Sequence, residues 1–336
     1  MKVLGCSIKQ IFVVSLFFLF LLIVFCNINI YEVKASEIYY VGGVNDGNYS
    51  CIQDAINNAS NNDTIYVYSG TYPENIFINK SLKIIGVNKP VIDGQDKTYT
   101  VLMECSYSNI TGFIIQNGII GLYVGGSNNS NHDNITQNTF SNNINGIYLM
   151  DSSDNNQIIS NSFEKNFRAI RLYNSSFNNI LYNTFDEDCS NSISLWEQSS
   201  NNNISENKIY SSSGINLRRW SKNNKISNNI IKCESSGISL DFCFDNIIIN
   251  NEILNCESGI SLSHTQGNII TENKISNSDV GIYLDQSEDD IISPNSFSNN
   301  NQNLKESYKL PSVKTPGFET IIIIFSIVLF LILQKK

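Results

Sequence analysis

The sequence predicts an all-β fold, a right-handed parallel β-helix built as a solenoid of coils of about 22 residues. Three observations carry that reading. A Gly-Ile-x-Leu motif recurs from Gly121 through Gly146, Ala169, Ser192, Gly214, Gly237 and Gly259 to Gly281, with a first step of 25 residues and later steps of 22 or 23. A second motif, Ile-x-x-Asn-x-Ile/Phe, runs in phase with it and places Asn138, Asn161, Asn183, Asn207, Asn229, Asn251, Asn273 and Asn295 at one position of successive coils. No stretch of the repeat region holds the ten or more residues of helical periodicity that a helix-bearing solenoid needs, so each unit reads as short strands separated by Asn/Ser turns. One such unit cannot bury its own apolar face, and stacking in register lets all of them share one core.

Taken in order, residues 1–35 read as a signal peptide. Lys2 and Lys9 precede an apolar run from Ile11 to Cys26, and Val33-Lys34-Ala35 ends on the small residue of a cleavage site. An uncleaved membrane anchor is the alternative; the bulky Phe25 before Cys26 argues against lipidation there. Residues 36–306 form the expected β-helix domain, with a cap and opening coils at 50–105 and repeat coils at 106–303. Ser50 and Gln53 match a capping box, and Ile52, Ala55, Ile56 and Ala59 share one face of the short helix that would follow and cover the first coil. Thr64–Tyr68, Leu82–Ile85 and Val91–Ile92 read as strands, with Asp93-Gly94 as a turn. In the repeat, Phe140, Phe163, Phe185, Ile209, Ile231, Ile253, Ile275 and Phe297 form an expected core column. A further polar column, Asp133, Asn156, Asn178, Asn202, Asn224, Asn246, Asn268 and Asp290, accompanies the first Asn column, and both read as side-chain ladders along the stack.

Residues 307–315 read as a linker and 316–336 as a C-terminal sorting signal with a transmembrane segment. The apolar run Thr320–Leu333 is 14 residues long and ends in Gln334-Lys335-Lys336. As a helix it rises about 21 Å, short of the roughly 30 Å hydrocarbon thickness. Pro316-Gly317-Phe318 before this run resembles the PGF-type sorting signal of archaeal surface proteins. That resemblance implies a sorting peptidase as partner, removal of the tail, and a lipid anchor at the outer face of the cell membrane.

Without residues 1–35 and 315–336, 17 of the 22 basic and 29 of the 31 acidic residues remain, a net charge of −12. Nucleic acid and anionic lipid both call for basic surface, so neither fits as a partner of this body. Nine Asn-x-Ser/Thr sequons, from Asn48 to Asn203, allow glycosylation.

Ile52-Gln-Asp-Ala-Ile56, the run Asp63 to Glu74 and Val91-Ile-Asp-Gly94, followed by the Asn-Ile and Gly-Ile coils, resemble the NosD-like β-helix proteins, also described as carbohydrate-binding and sugar-hydrolase domains. The resemblance spans about Glu37 to Asn303 and implies the fold; that architecture serves lyases, epimerases, tailspikes and non-enzymatic surface proteins alike. The NosD name implies copper-site maturation. With two His and, outside the leader, only Met103 and Met150, the sequence offers no copper ligand set, and no cofactor is expected.

Two outward columns should line one sheet: Tyr123, Tyr148, Arg171, Ser194, Asn216, Ser239, Ser261, Tyr283, and then Gly125, Met150, Tyr173, Trp196, Arg218, Asp241, Ser263, Asp285. Both Trp and all four Arg fall between Arg168 and Trp220, so Arg171, Tyr173, Trp196, Glu197, Arg218, Trp220 and Asp241 are expected in one patch. Aromatic faces stack on sugars and guanidinium forks grip carboxylates, which makes Arg171, Tyr173, Trp196, Arg218 and Trp220 candidate glycan-binding residues. Glu197 and Asp241 are the candidate carboxylates for a hydrolase, lyase or C5-epimerase acting on an acidic polysaccharide. His132 and His264 read as turn residues. Cys233 and Cys256 stand in adjacent coils, either disulfide-bonded or as buried free thiols. The leading expectation is a surface-anchored, non-catalytic protein that binds or scaffolds envelope glycan; an enzyme on acidic polysaccharide and a purely structural or adhesion protein are the alternatives.

Overall fold

The computed structural model describes residues 35–44, 48–126 and 130–307. The expected leader and the sorting motif Pro316-Gly317-Phe318 lie outside the described residues. Among those described, no helix is long and apolar enough to cross a membrane.

The described body is a parallel β-helix. Three sheets of 11 parallel strands run along it, the first from Ile38–Val41 to Ile269–Thr271, the second from Thr71–Tyr72 to Ser296–Ser298 and the third from Ile76–Ile78 to Gln302–Glu306. Each strand pairs with the equivalent strand of the coils before and after it, so Ile135 faces Ile110 and Ile158, and Ile147 faces Leu122 and Ile170. Strands this short cannot persist alone; the ladder to the next coil satisfies the backbone, and the inward residues close the core.

The core follows the predicted columns, except that Phe297, at the open end of the stack, is only partly buried. Phe140, Phe163 and Phe185 are fully buried, with ring centroids 5.2 and 4.8 Å apart and planes 12° and 6° from parallel. The recurring glycine has a steric cause: a Cβ on Gly237 would lie 2.6 Å from both the Gly259 carbonyl and the Ile253 side chain. Outside the strands, residues such as Asn142, Asn228, Asn250 and Asn277 take φ between 53° and 57°, a region that Asn tolerates better than most residues.

The two asparagine ladders form as the sequence predicts. At the corner between the first and second sheets, the backbone N–H of Asn207 donates to Asn229 Oδ1 at 3.0 Å and that of Asn229 to Asn251 Oδ1 at 3.0 Å. Each Nδ2 reaches back to a carbonyl of the preceding coil, as from Asn229 to Ile204 at 3.0 Å. At the corner between the third and first sheets, the same arrangement runs from Asp133 through Asn156 and Asn178 to Asp290. A third, short ladder escaped the sequence reading: at the corner between the second and third sheets, Asn143 Oδ1 accepts from Gly118 and Asn166 Oδ1 from Asn143.

The N-terminal cap departs from expectation in its chemistry. The helix Ile52–Asn58 buries Ile52, Ala55 and Ile56, with Ala59 at 4 % exposure, as its pattern requires. Its N-cap is Cys51, one residue past Ser50, and no side chain of the expected capping box bonds the helix start. Glu74, a coil later, does that instead, accepting from Ile52 N–H at 2.9 Å and Gln53 N–H at 3.0 Å. A carboxylate at the helix start complements the exposed N–H groups, so the Ser50 and Gln53 side chains are not needed there. The Asp93-Gly94 turn also shifts: Asp93 ends a strand, and the turn falls on Gln95-Asp96 at φ 52° and 60°, with Asp93 Oδ1 accepting from Gln95 N–H.

Asn229→Ala removes two acceptor contacts from Asn207 and the donor to Ile204 inside the wall. It should destabilise the chain by about 2–4 kcal/mol, against near-neutral Lys225→Ala on the exposed face, read by urea unfolding; equal midpoints for the two variants contradict a structural ladder. Asp133 tests the ladder's end. Burial pushes its carboxyl up to about 7, with the Ser108 N–H and Ser130 Oγ bonds only partly offsetting that. Since the folded value lies above the ordinary 3.8, the unfolded chain ionises first and stability falls as pH rises from about 4 to 7. Asp133→Asn, which continues the Asn column, should therefore match wild type near pH 4 and exceed it by at least about 1 kcal/mol near pH 8, as thermal melts across pH would show.

Candidate glycan-binding face

Strands of the third sheet carry Arg168, Arg171 and Arg218, with Arg171 and Arg218 in columns whose side chains point away from the core. Strand register places Tyr123, Tyr148, Arg171 and Ser194 side by side, and Met150, Tyr173 and Trp196 in the column beyond. Arg218 and Asp241 pair directly in register. Both columns therefore stand as the repeat predicts, one coil about 4.8 Å from the next.

At the centre is Arg171. Its guanidinium lies 5.0 Å from the Tyr148 ring centroid and 5.3 Å from that of Trp196. Trp196 in turn meets Arg218 at 5.2 Å and Arg219 at 5.4 Å, so three guanidinium groups gather round one indole. Cation–π attraction holds such groups in place without neutralising them. Arg168, on the strand Arg168–Tyr173, rests on the Phe167 ring at 4.8 Å. Partial burial and the neighbouring Arg171 both press its pKa below the usual arginine value.

Among the described residues only one ion pair forms here, Arg219 Nη1 to Glu197 Oε1 at 2.6 Å. Arg168, Arg171 and Arg218 have no carboxylate partner among the described residues. Arg171 Nε is buried and unpaired, and so is Asn145 Oδ1, whose residue faces Arg168 in the strand ladder. Both atoms are buried without a hydrogen-bond partner, so the protein around them does not offset their desolvation. In a strongly acidic chain, uncompensated arginines held by aromatic rings make a local patch of positive charge.

The predicted residues divide. Arg171, Tyr173, Trp196 and Arg218 come together. Trp220 sits at the corner beyond the strand end, 54 % exposed and at φ 63°, and no guanidinium lies over it. Its backbone N–H donates to Phe242 O. Glu197 is occupied by Arg219, while Asp241 lies on the next coil beside Arg218. Tyr148 and Arg168 lie beside these residues and were not singled out, although Tyr148 stood in the outward column and Arg168 opens the strand that carries Arg171. His132 and His264 are turn residues at φ 61° and 52°, stacked on Tyr107 and Phe242. Two recesses of about 380 Å³ each lie at the corner between the second and third sheets.

The family profile described as periplasmic copper-binding protein (NosD) matches residues 56–226 and 197–313. No curated protein matches the chain. Among solved structures, the A-module of the Azotobacter vinelandii mannuronan C-5 epimerase AlgE4 superposes with a TM-score of 0.56 at 18% identity, over 81% of this chain and 100% of that one. The AlgE6 A-module of the same organism gives 0.54 at 14%, over 76% and 92%. The Dettilon tailspike protein gives 0.50 at 14%, over 73% and 56%. At these identities the likeness is one of fold.

Proposed function

The chain belongs to the NosD family, and we propose that this member is a secreted, surface-anchored β-helix whose third sheet binds an acidic polysaccharide. The observation that carries the reading is Arg171, wedged between Tyr148 and Trp196 with its Nε unpaired and no carboxylate to neutralise it. A uronic acid or sulfated sugar supplies what the face lacks: an anion for the guanidinium forks, and ring faces for Tyr148 and Tyr173. Arg171 and Arg218 stand two coils apart, about 9.6 Å along the stack at the usual strand spacing. A linear polymer lying along the solenoid axis meets both.

Supporting the location are the family's periplasmic description and, from the sequence, the leader at 1–35 and the Pro316-Gly317-Phe318 tail, which point to export and to a sorting peptidase and membrane anchor at the outer face of an archaeal cell. Two of the fold relatives are mannuronan C-5 epimerases, enzymes named for a polysaccharide substrate. Glu197 engages Arg219 rather than standing free as a general acid, which favours binding over turnover.

Copper does not fit the described donors. Among the described residues no three His, Cys, Asp or Glu gather as a ligand set. Met103 is sealed in the core, and the two histidines stack on separate aromatic rings. Cys233 and Cys256 hold their sulfurs 2.7 Å apart, too close for an ion gripped in line by two metal–sulfur bonds of about 2.3 Å.

Binding of the purified chain to polyuronates and sulfated glycans on an array, followed by titration, tests the reading. Arg171→Ala and Trp196→Ala should each weaken binding at least about tenfold, or 1.4 kcal/mol, and added salt should weaken the wild type. Absence of binding to every acidic glycan overturns the proposal. Turnover of a polyuronate, lost in Glu197→Gln or Asp241→Asn, replaces it with an enzyme.

A further inference from the structure

The corner between the second and third sheets differs from the other two. Its short amide ladder stops at Asn166, and the next four coils place Cys189, Ser211, Cys233 and Cys256 at the equivalent position. Cysteines therefore occupy adjacent coils at one place in this column, Cys233 and Cys256. Their sulfurs stand 2.7 Å apart, and the residues are only 5 % and 3 % exposed. Neighbouring coils bring their Cα atoms to about 4.8 Å, within the 4.4–6.8 Å span that a disulfide bridges.

The two thiols also differ from the rest in chemistry. Burial pushes Cys105 up to about 11 and Cys189 and Cys243 up to about 12, as expected of inert sulfur. Cys256 moves the other way through the hydrogen bond that the two sulfurs share, in which either can donate; Cys233 is raised by that bond and by burial. The pair thus holds one thiolate more readily than an isolated buried cysteine does, and the thiolate is the nucleophile in disulfide exchange. Access exists as well. Cys233 lines one of the 380 Å³ recesses, beside Tyr210, Lys232 and Glu234.

We propose that Cys233 and Cys256 are a cross-linking site, oxidised by a donor disulfide into a covalent staple between adjacent coils. The thiolate of the pair attacks one sulfur of the donor, forms a mixed disulfide and releases one donor thiolate, which takes up a proton. The second cysteine, on losing its proton, attacks the protein-side sulfur of the mixed disulfide and expels the other donor thiol. Two protein thiols are oxidised, and one disulfide is reduced to two thiols. Because the sulfurs meet only when the coils are stacked in register, the bond records correct assembly and then holds it.

The test counts thiols in the secreted chain, which keeps six of the eight cysteines once a leader holding Cys6 and Cys26 is removed. Protein secreted and purified without reductant is denatured and alkylated, with and without prior reduction, then weighed and mapped. Reduction should add two alkyl groups, and the unreduced map should join the Cys233 peptide to the Cys256 peptide. Cys256→Ser should abolish the link and free Cys233, while Cys189→Ser, in the same column, should leave it intact. Reduced, folded wild type incubated with glutathione disulfide should lose the same two thiols. Equal alkylation with and without reduction, or a link mapping to another pair, overturns the proposal. The wild-type count decides this even where a serine variant fails to fold.

Discussion

The fold depends on the asparagine amide at the corners of the coil. Where a strand ends and the chain turns, its backbone N–H and C=O leave the sheet ladder but stay inside the wall, away from water. Buried groups of this kind cost about 1–3 kcal/mol each when unpaired. A side-chain amide has a donor and an acceptor, so each Asn satisfies an N–H in the preceding coil with Oδ1 and a carbonyl further back with Nδ2. Each residue in the column needs the next, which links coil to coil through polar contacts as firmly as the Ile and Phe columns do through apolar ones. The ends of one ladder show the limit of the device. Asp133 offers only acceptors when ionised, and burial raises the pKa of its carboxyl to about 7.

Because corners and inward columns carry the architecture, the outward residues are free to differ from coil to coil. Ser239 and Ser261 fill positions that Arg171 and Tyr148 fill elsewhere in the same column. The arginine face is therefore a departure from the repeat imposed on a scaffold that does not require it. Like-charged guanidinium groups repel, and the face holds them by spreading them over Phe167, Tyr148 and Trp196 and by pairing one with Glu197. What remains uncompensated is a local concentration of positive charge on an otherwise acidic chain.

Much of this was legible in the residue order. Spacing alone identified both long ladders, the Phe/Ile column and the alignment of Tyr148, Arg171, Tyr173, Trp196 and Arg218, since a repeat of nearly constant length aligns equivalent positions. The misreadings share one cause: local patterns were assigned partners that distant residues supply. Ser50 and Gln53 match a helix cap, yet Glu74, 22 residues beyond Ile52, does the bonding. The third-corner ladder was hidden because only Asn143 and Asn166 continue it before cysteine and serine take over.

Arg218 and Arg219 are neighbours of the same type, and residue order does not tell which one pairs with Glu197. The corner does: Arg219 takes φ 51°, which turns it out of the strand toward Glu197 one coil away. The same corner lifts Trp220 away from the guanidinium cluster that composition had assigned it to. By itself, then, the sequence determined the coil, its register, its core and the sheet face on which unusual residues gather, because periodicity is a one-dimensional property that stacking preserves. Only the tertiary structure decided which arginine is free, which ring holds it and which two sulfurs meet, because those outcomes turn on side-chain direction and burial between residues more than 20 positions apart.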